Sequence, residues 1–486
     1  MKRSFFLVCM AMLFTSSMTL WANSPQQLIR IDGLTSEQVR DFANRGYEIA
    51  KAGPDFVECV VSRDERADLP VGKIAPKVLI PDLDAYVTGI LAGQKRGAEY
   101  YMYDRLEATL NDWAAKYPSI TRLVSIGRTC EGRDILAMKV SDNPGVDESE
   151  PSILIDGAHH AREWISYEVT METLKQLLEG YGQNPRLTRM VNEREIWFVP
   201  VVNPDGVIFS QTQSRFWRKN RRQVDATNFG VDLNRNYGFQ WGNAGAGTDP
   251  KSDTYRGSQA FSEPEALAIK GLAERERFQA CLSFHSYSEL VLYPFSYAKG
   301  VPCPDKSRFQ VLGQEMAAFN HYQSQNSAEL YAASGVQGDW LYTTFKTFAF
   351  TIEIGNVYIP PAEKIAELCA LNIPAAFYLI EKAGTYGITA PGGNFAVGSL
   401  LDSGTAIDAI VDGTSILASL PENDRLESAD RLREIGVRLA ELTTQEMCSG
   451  NQKTWNLIKE TPATAFVVPL IRDRLAFDRV HQAALK

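Results

Sequence analysis

The chain has 486 residues, 44% apolar and 22% charged, with a net charge of −9. That make-up is of a soluble globular protein, and the length predicts two or three domains rather than one core. The negative balance argues against nucleic acid or an anionic membrane surface as partner.

Residues 1–22, "MKRSFFLVCMAMLFTSSMTLWA", carry Lys2 and Arg3, then an apolar stretch, then small residues ending at Ala22. They read as a secretory signal peptide cut after Ala22. A membrane anchor is the competing reading, but Thr15, Ser16 and Ser17 interrupt the apolar run. Export to the periplasm or the exterior follows, and with it an oxidising compartment. Cys59, Cys130, Cys281, Cys303, Cys369 and Cys448 could pair there or remain buried thiols, and their spacing assigns no pairing.

Residues 23–96 read as a small α/β unit. "QLIRIDG", "DFVECVVS" and "PKVLIPDL" are strand patterns. "TSEQVRDFANRG" is a helix pattern with Thr35 as cap and Gly46 as stop. Lys95 and Arg96, flanked by Gly93 and Gly97, form a basic link of the kind a trypsin-like protease cuts; an ordinary interdomain linker reads equally well.

Residues 97–385 alternate between strand and helix patterns. Met102, Leu106, Leu110 and Trp113 recur at helical spacing. "SILIDG" (152–157), "EIWFVPVVN" (195–203), "FQACLSFHS" (278–286) and "FAFTIEIG" (348–355) are continuous apolar runs, as expected of strands buried on both faces. Helical patterns lie at 163–178, 263–276, 307–322 and 361–383. The expected fold is α/β, a mixed and mostly parallel sheet flanked by helices. Residues 386–486 turn rich in Gly, Ser and Ala and then mainly helical, an extension without visible chemistry.

The chemistry is at the strand ends. His159, His160, His285 and Glu353 each break an apolar run where it finishes, and ligands bind beyond the carboxyl ends of such strands. His160 and Glu163 form His-x-x-Glu at a strand-to-helix turn, a spacing that lets both converge on one metal ion. His285, ending another strand, is the candidate third ligand; His321 and His481 are placed less well.

A series of motifs then makes a resemblance specific. "HAREWIS" (160–166), "VVNPDG" (201–206), "RFWRKNRR" (215–222), "GVDLNRNY" (230–237), "YRGSQAFSEPEA" (255–266), "SFHSYSELVLYP" (283–294), "YAASGVQGDW" (331–340) and "FTIEIG" (350–355) follow in order. This series resembles the carboxypeptidase A family of zinc metallocarboxypeptidases, of a bacterial secreted type, over roughly residues 100–385. The resemblance implies one zinc ion per chain held by His160, Glu163 and His285. It implies Glu353 as catalytic general base and acid, and Arg218 as the cation that stabilises the oxyanion. It implies that Asn234 and Arg235 grip the terminal carboxylate of a peptide substrate while Tyr331 closes over it. Arg162 and Tyr287 match outer substrate contacts, and Asp232 the acceptor that orients His160.

The matched specificity positions are Leu292, Ser296, Asn326, Leu330, Ala333, Gly338 and Thr351. None is acidic, so a neutral or apolar terminal residue is expected, with a basic preference through nearby Glu329 as the runner-up. Tyr358 falls where relatives place a phenylalanine against the substrate. The 23–96 unit resembles the α/β pro-segments that cover the active site in zymogens of this family, which implies inhibition until a protease cuts near Lys95–Arg96. A monomer without a membrane anchor is expected. Two other readings stay open, a zinc amidase or cell-wall peptidase and an inactive zinc-containing binding protein. The carboxylate grip and the intact glutamate argue against each in turn.

Overall fold

The computed structural model describes residues 25–385, apart from 54, 73 and 94–98. The expected signal peptide, the Lys95–Arg96 link, Cys448 and the extension 386–486 lie outside the described residues.

The N-terminal part builds its own sheet. Its elements are β1 (Gln26–Asp32), α1 (Ser36–Asn44), β2 (Glu48–Ala52), β3 (Phe56–Ser62), β4 (Lys77–Ile80) and α2 (Leu83–Ala92). The strands lie antiparallel in the order β2-β3-β1-β4. Thr35 caps α1 as the sequence predicts, in a full capping box with Gln38. The chain leaves the helix through Gly46 at φ +82°, a left-handed turn that a side chain would strain. β2 is the strand the sequence pattern does not announce. Ile29, Ile31, Phe42, Val57 and Val61 form the core of this unit.

The rest is one eight-stranded sheet with helices on both faces. In chain order come α3 (Tyr103–Lys116), β5 (Thr121–Arg128), β6 (Asp134–Val140), β7 (Ser152–Gly157), α4 (Trp164–Gly180), α5 (Pro185–Asn192), β8 (Glu195–Val199) and α6 (Pro204–Thr212). After a long irregular stretch follow α7 (Pro264–Glu276), β9 (Ala280–His285), β10 (Leu290–Tyr293), α8 (Lys306–Asn320), β11 (Gln323–Asn326), α9 (Ser327–Leu330), α10 (Gln337–Phe345), β12 (Phe348–Glu353) and α11 (Ile365–Lys382). The strand order is β11-β10-β12-β9-β7-β8-β6-β5, parallel through the central four and antiparallel at the next pairing on either side, with the edge pair β10–β11 parallel again.

Alternation of side chains explains why the central strands read as unbroken apolar runs. Ile153, Ile155, Leu282 and Phe350 pack toward α4, α8 and α11. Leu154, Cys281 and Ala349 pack toward α7 and α10, against Ile269, Leu272 and Trp340. Both faces are covered, so the polar positions within β7 are only Ser152 at its start, which donates to the Glu276 carbonyl, and Asp156.

One expectation shifts, and one left open is resolved among the described residues. Met102 is exposed, because α3 starts one residue later and Tyr103 takes the buried place. The cysteines described are all free thiols, Cys130 exposed and Cys59, Cys281, Cys303 and Cys369 buried. Among the described residues no helix is long and apolar enough to cross a membrane.

Candidate active site

Parallel register brings the expected strand ends together. β9 pairs with β12 so that His285 lies opposite Glu353, and β7 lies on the other side of β9 with Gly157 opposite Phe284. The chain leaving β7 therefore delivers His159 and His160 to the same edge. There is no room for a side chain at Gly157, where a Cβ would sit about 3.0–3.1 Å from Thr170 and Ser166. That close approach lets the turn fold back so that α4 starts directly after Glu163.

His160, Glu163 and His285 converge. Nδ1 of His160 lies 2.7 Å from one Glu163 oxygen and 3.1 Å from Nδ1 of His285, which lies 2.9 Å from the other Glu163 oxygen. All three side chains are buried. Two imidazole nitrogens facing each other across a carboxylate are electron pairs crowded around one point, which fits a divalent cation with a vacant position for substrate. The far nitrogen of His160 donates 3.1 Å to Asp232, fixing the tautomer that presents Nδ1 inward. Burial alone would push the Glu163 carboxyl up, but the flanking imidazoles more than offset it and hold it below the usual carboxylate range. The group stays ionised, as a ligand must.

Asp232 is the hub beside this centre. One oxygen accepts from His160 and from the Asn234 backbone N–H at 2.9 Å; the other accepts from Arg218 at 2.8 and 3.2 Å. Burial opposes its charge, yet Arg218, Arg235 and His160 hold it well below the usual range. Glu353 is the contrast. Burial pushes its carboxyl up to about 8; His285 works against that and Glu163 adds to it.

Next to Glu353 opens a cavity of about 70 Å³, lined among others by Arg235, Leu292, Leu330, Ala333, Gly338 and Thr351. Arg235 is held by the carbonyls of Gly245 and Asn234 at 2.7 and 2.8 Å, and donates to the Tyr331 hydroxyl at 3.4 Å. Asn234 takes the Gln337 N–H at 2.9 Å, tying the start of α10 to this rim. A Cβ at Gly338 would meet only the Ala349 methyl, at 3.7 Å, so the space there is open. Ser296 also lines the cavity, but its backbone N–H and that of Tyr297 are given to Asp339, whose carboxyl burial pushes up to about 7.

Three expected residues stand elsewhere. Asn326 is not among the cavity-lining residues; its side chain caps α9 through Ala328 and donates to Tyr293. Glu329 pairs with exposed Lys299 at 2.5 Å, so it supplies no charge to the cavity. His159 does not line the cleft. It is fully buried, stacked against His285 and bonded to the Tyr237 hydroxyl at 2.9 Å, and burial holds it neutral.

One residue was not foreseen. Glu48, on β2, reaches from the N-terminal sheet into the cleft. Its carboxylate pairs with Arg162 and lies 3.3 Å from Arg218, and it accepts from the Tyr358 hydroxyl at 2.7 Å. Burial works against its charge, but the two arginines hold its carboxyl below the usual range. Beside it, Glu58 on β3 accepts from the Tyr287 hydroxyl at 3.2 Å. Ala52 and Tyr331 pack together on Leu290, Leu292 and Leu330 at the cavity rim. The signal lay in "YEIAKA", a short strand with an acid at its start, which composition does not separate from a loop.

The fold and site define a metal-dependent hydrolase class with a His-Glu-His centre. The comparison with known families is specific: residues 106–375 match the zinc carboxypeptidase family, peptidase family M14, and the chain belongs to it. Zinc is the metal of that family, and the His160–Glu163–His285 group is the place that fits it. The chain is 35% identical over 268 residues to a zinc carboxypeptidase of Saccharothrix mutabilis subsp. capreolus, a match covering 52% of this chain and 62% of that protein. It is 34% identical over 281 residues to carboxypeptidase A1 of Bos taurus, covering 55% of this chain and 66% of the relative. The match thus spans a little under two thirds of these relatives. Among solved structures, carboxypeptidase A from Helicoverpa armigera superposes with a TM-score of 0.66 at 23% identity, over 74% of this chain and 98% of that one. Thrombin activatable fibrinolysis inhibitor gives 0.63 at 24%, over 74% and 99%. These two likenesses concern the fold, and they extend beyond residues 106–375.

Proposed function

We propose that this chain is an exported zinc carboxypeptidase that removes single residues from peptide C-termini, and that its N-terminal unit restrains it until cut. The observation that carries the reading is one cleft holding the His160–Glu163–His285 centre, Glu353, and the Arg235–Tyr331 rim over a cavity. An amidase would need no such rim, and an inactive binding protein would need no carboxylate at Glu353.

When bound, zinc supplies Lewis acidity to the scissile carbonyl and to attacking water. Glu353 takes the proton of that water and passes it to the leaving amine. Arg218, fixed by Asp232, faces the oxygen that gains charge in the transition state. Arg235 and Asn234 bind the free carboxylate and so register the last peptide bond over the centre. Tyr331 closes the rim. The cavity walls of Leu292, Leu330, Ala333 and Gly338 favour a neutral or apolar terminal side chain; the two acids that also line the cavity are Glu353 and Asp339, and burial pushes both carboxyls up.

Restraint has a physical basis in Glu48. It occupies Arg218 and Arg162, the cations a substrate would use, and its charge adds to the causes that hold Glu353 protonated. Removing residues 23–96 would free both arginines and let water reach Glu353. The leader at residues 1–22 and the link at Lys95–Arg96 supply the export and cutting steps of this reading.

The test is a set of peptides differing only in the last residue, incubated with zinc-loaded protein before and after trypsin and read by mass spectrometry. Single-residue loss after trypsin, absent in Glu353→Gln, is the expected result. Endopeptide cleavage, or no shortening with zinc bound, would sink the proposal.

A further inference from the structure

Away from the cleft, the turn between β5 and β6 places a thiol against two buried carboxylates. We propose that Cys130, Glu263 and Glu265 form a second metal site, for a thiophilic divalent cation such as Zn²⁺ or Cd²⁺.

The three side chains each offer a ligand atom within 4.8 Å of the others. Glu263 and Glu265, at the start of α7, are both 0% exposed, whereas Cys130 reaches solvent. Hydrogen bonds account for only part of this carboxylate pair. The Asn220 amide donates to one oxygen of each, at 2.7 and 3.1 Å. Glu263 also accepts from Arg222 at 2.6 Å and from Ser262 at 2.7 Å. The second oxygen of Glu265 is buried and receives no donor from any other residue. A buried carboxylate oxygen left unpaired is costly, and a proton or a cation must satisfy it.

A proton alone explains Glu265, whose carboxyl burial pushes up to about 7. It does not explain the thiol held beside it. The turn carrying Cys130 is pinned from below by Asp205. That carboxylate accepts from the Thr129 hydroxyl at 2.8 Å, the Glu131 N–H at 2.9 Å and Arg133 at 2.6 Å. Gly132 at φ +87° closes the turn. Cys130 is therefore held in a fixed place rather than carried on a free loop.

With a cation in place of their protons, one thiolate and two carboxylates would bring three negative charges against the one positive charge of Arg222. A soft sulfur ligand selects zinc-like ions over magnesium or calcium. The thiol is pushed up to about 12, by burial first and then by Glu265, so a cation must displace its proton on binding. The open side of Cys130 leaves a fourth position to solvent.

The test is cadmium titration of the full chain, read by the ultraviolet thiolate-to-cadmium charge-transfer band. The cleft centre has no sulfur ligand and is silent in this band. The band is expected to saturate near one equivalent in the wild type and in Glu163→Gln, and to vanish in Cys130→Ser. Glu265→Gln, close in shape, is expected to weaken it at least tenfold. Zinc should slow alkylation of Cys130 at least tenfold also in Glu163→Gln, where the cleft centre has lost its carboxylate ligand. A band that survives Cys130→Ser, cadmium affinity unchanged in Glu265→Gln, or alkylation indifferent to zinc would each overturn the site.

Discussion

In the eight-stranded sheet, β7 and β9 are buried along their whole length and present their chemistry at or just past their ends, at His160 and His285. In the N-terminal sheet, β1 and β3 keep partly open positions between buried ones, and β2 places a carboxylate on its first residue. The two sheets meet at that carboxylate. The loops beside the large sheet supply fixed cations, Arg162 and Arg218; the small sheet supplies Glu48, the anion that neutralises them. The chemistry of the site thus comes from parallel register, and the proposed restraint would come from a single side chain on a neighbouring sheet. Substitutions on each side should therefore act in opposite directions.

The largest effect belongs to the large sheet. Glu353→Gln keeps the shape of the carboxyl and removes its basicity, and turnover after activation should fall by about 10²–10⁴-fold. Substrate affinity should change little, because Arg235 and Tyr331 are untouched. Steady-state kinetics separate the two, and a variant that lost affinity but kept kcat would move the base elsewhere. On the small sheet, Glu48→Gln should do the reverse and raise the activity of the uncut chain. Breaking a buried ion pair from one side costs about 3–5 kcal/mol, here charged to the closed arrangement. At least a tenfold gain is expected, since that needs only about 1.4 kcal/mol. An uncut Glu48→Gln protein as inactive as the wild type would mean that bulk coverage, rather than this charge, restrains the cleft.

Specificity offers a smaller and more selective change. Gly338→Asp puts a carboxylate into open space facing Ala349. The preference between terminal Arg and terminal Leu should swing by about tenfold, near 1.4 kcal/mol, without loss of zinc. Equal ratios in the two proteins would show that Gly338 does not face the bound side chain.

What could be read beforehand follows the same division. The strand ends of the large sheet were legible because burial on both faces makes a polar residue conspicuous: His160, His285 and Glu353 each interrupt an apolar run. Asp232, Arg218 and Arg235 were readable only through the order of the motifs, since an arginine in an irregular stretch looks like a surface residue. Glu48 was not legible. β2 is five residues long with two apolar positions before Lys51, and only its pairing with β3 makes it a strand. Asn326 and Glu329 were misplaced because local partners claim their side chains: Asn326 ends β11 and caps α9, and Glu329 pairs with Lys299, neither of which sequence distance reveals.

A last comparison sets Glu48 against Glu168, two buried glutamates at opposite ends of the N-terminal connection. Glu48 faces two arginines and keeps its charge. Glu168, on α4, receives the Tyr101 N–H just after the link; burial pushes its carboxyl up to about 8, and neither that bond nor the charge of Arg105 offsets it. The sign follows from linkage. Below about pH 4.5 both the folded and unfolded chains hold this proton, and the full contribution to stability is present. Between about pH 4.5 and 8 the folded chain holds the proton more tightly than the unfolded one, so stability falls as pH rises. Glu168→Gln keeps an acceptor for Tyr101 and removes the titration. The variant should match the wild type in thermal unfolding near pH 4 and exceed it by about 1–2 kcal/mol near pH 8.5, a fraction of the roughly 1.4 kcal/mol per pKa unit because local opening admits water. A difference of the same size at both pH values would assign the effect to packing, and a destabilised variant at pH 8.5 would mean that the ionised carboxylate finds a partner within the fold.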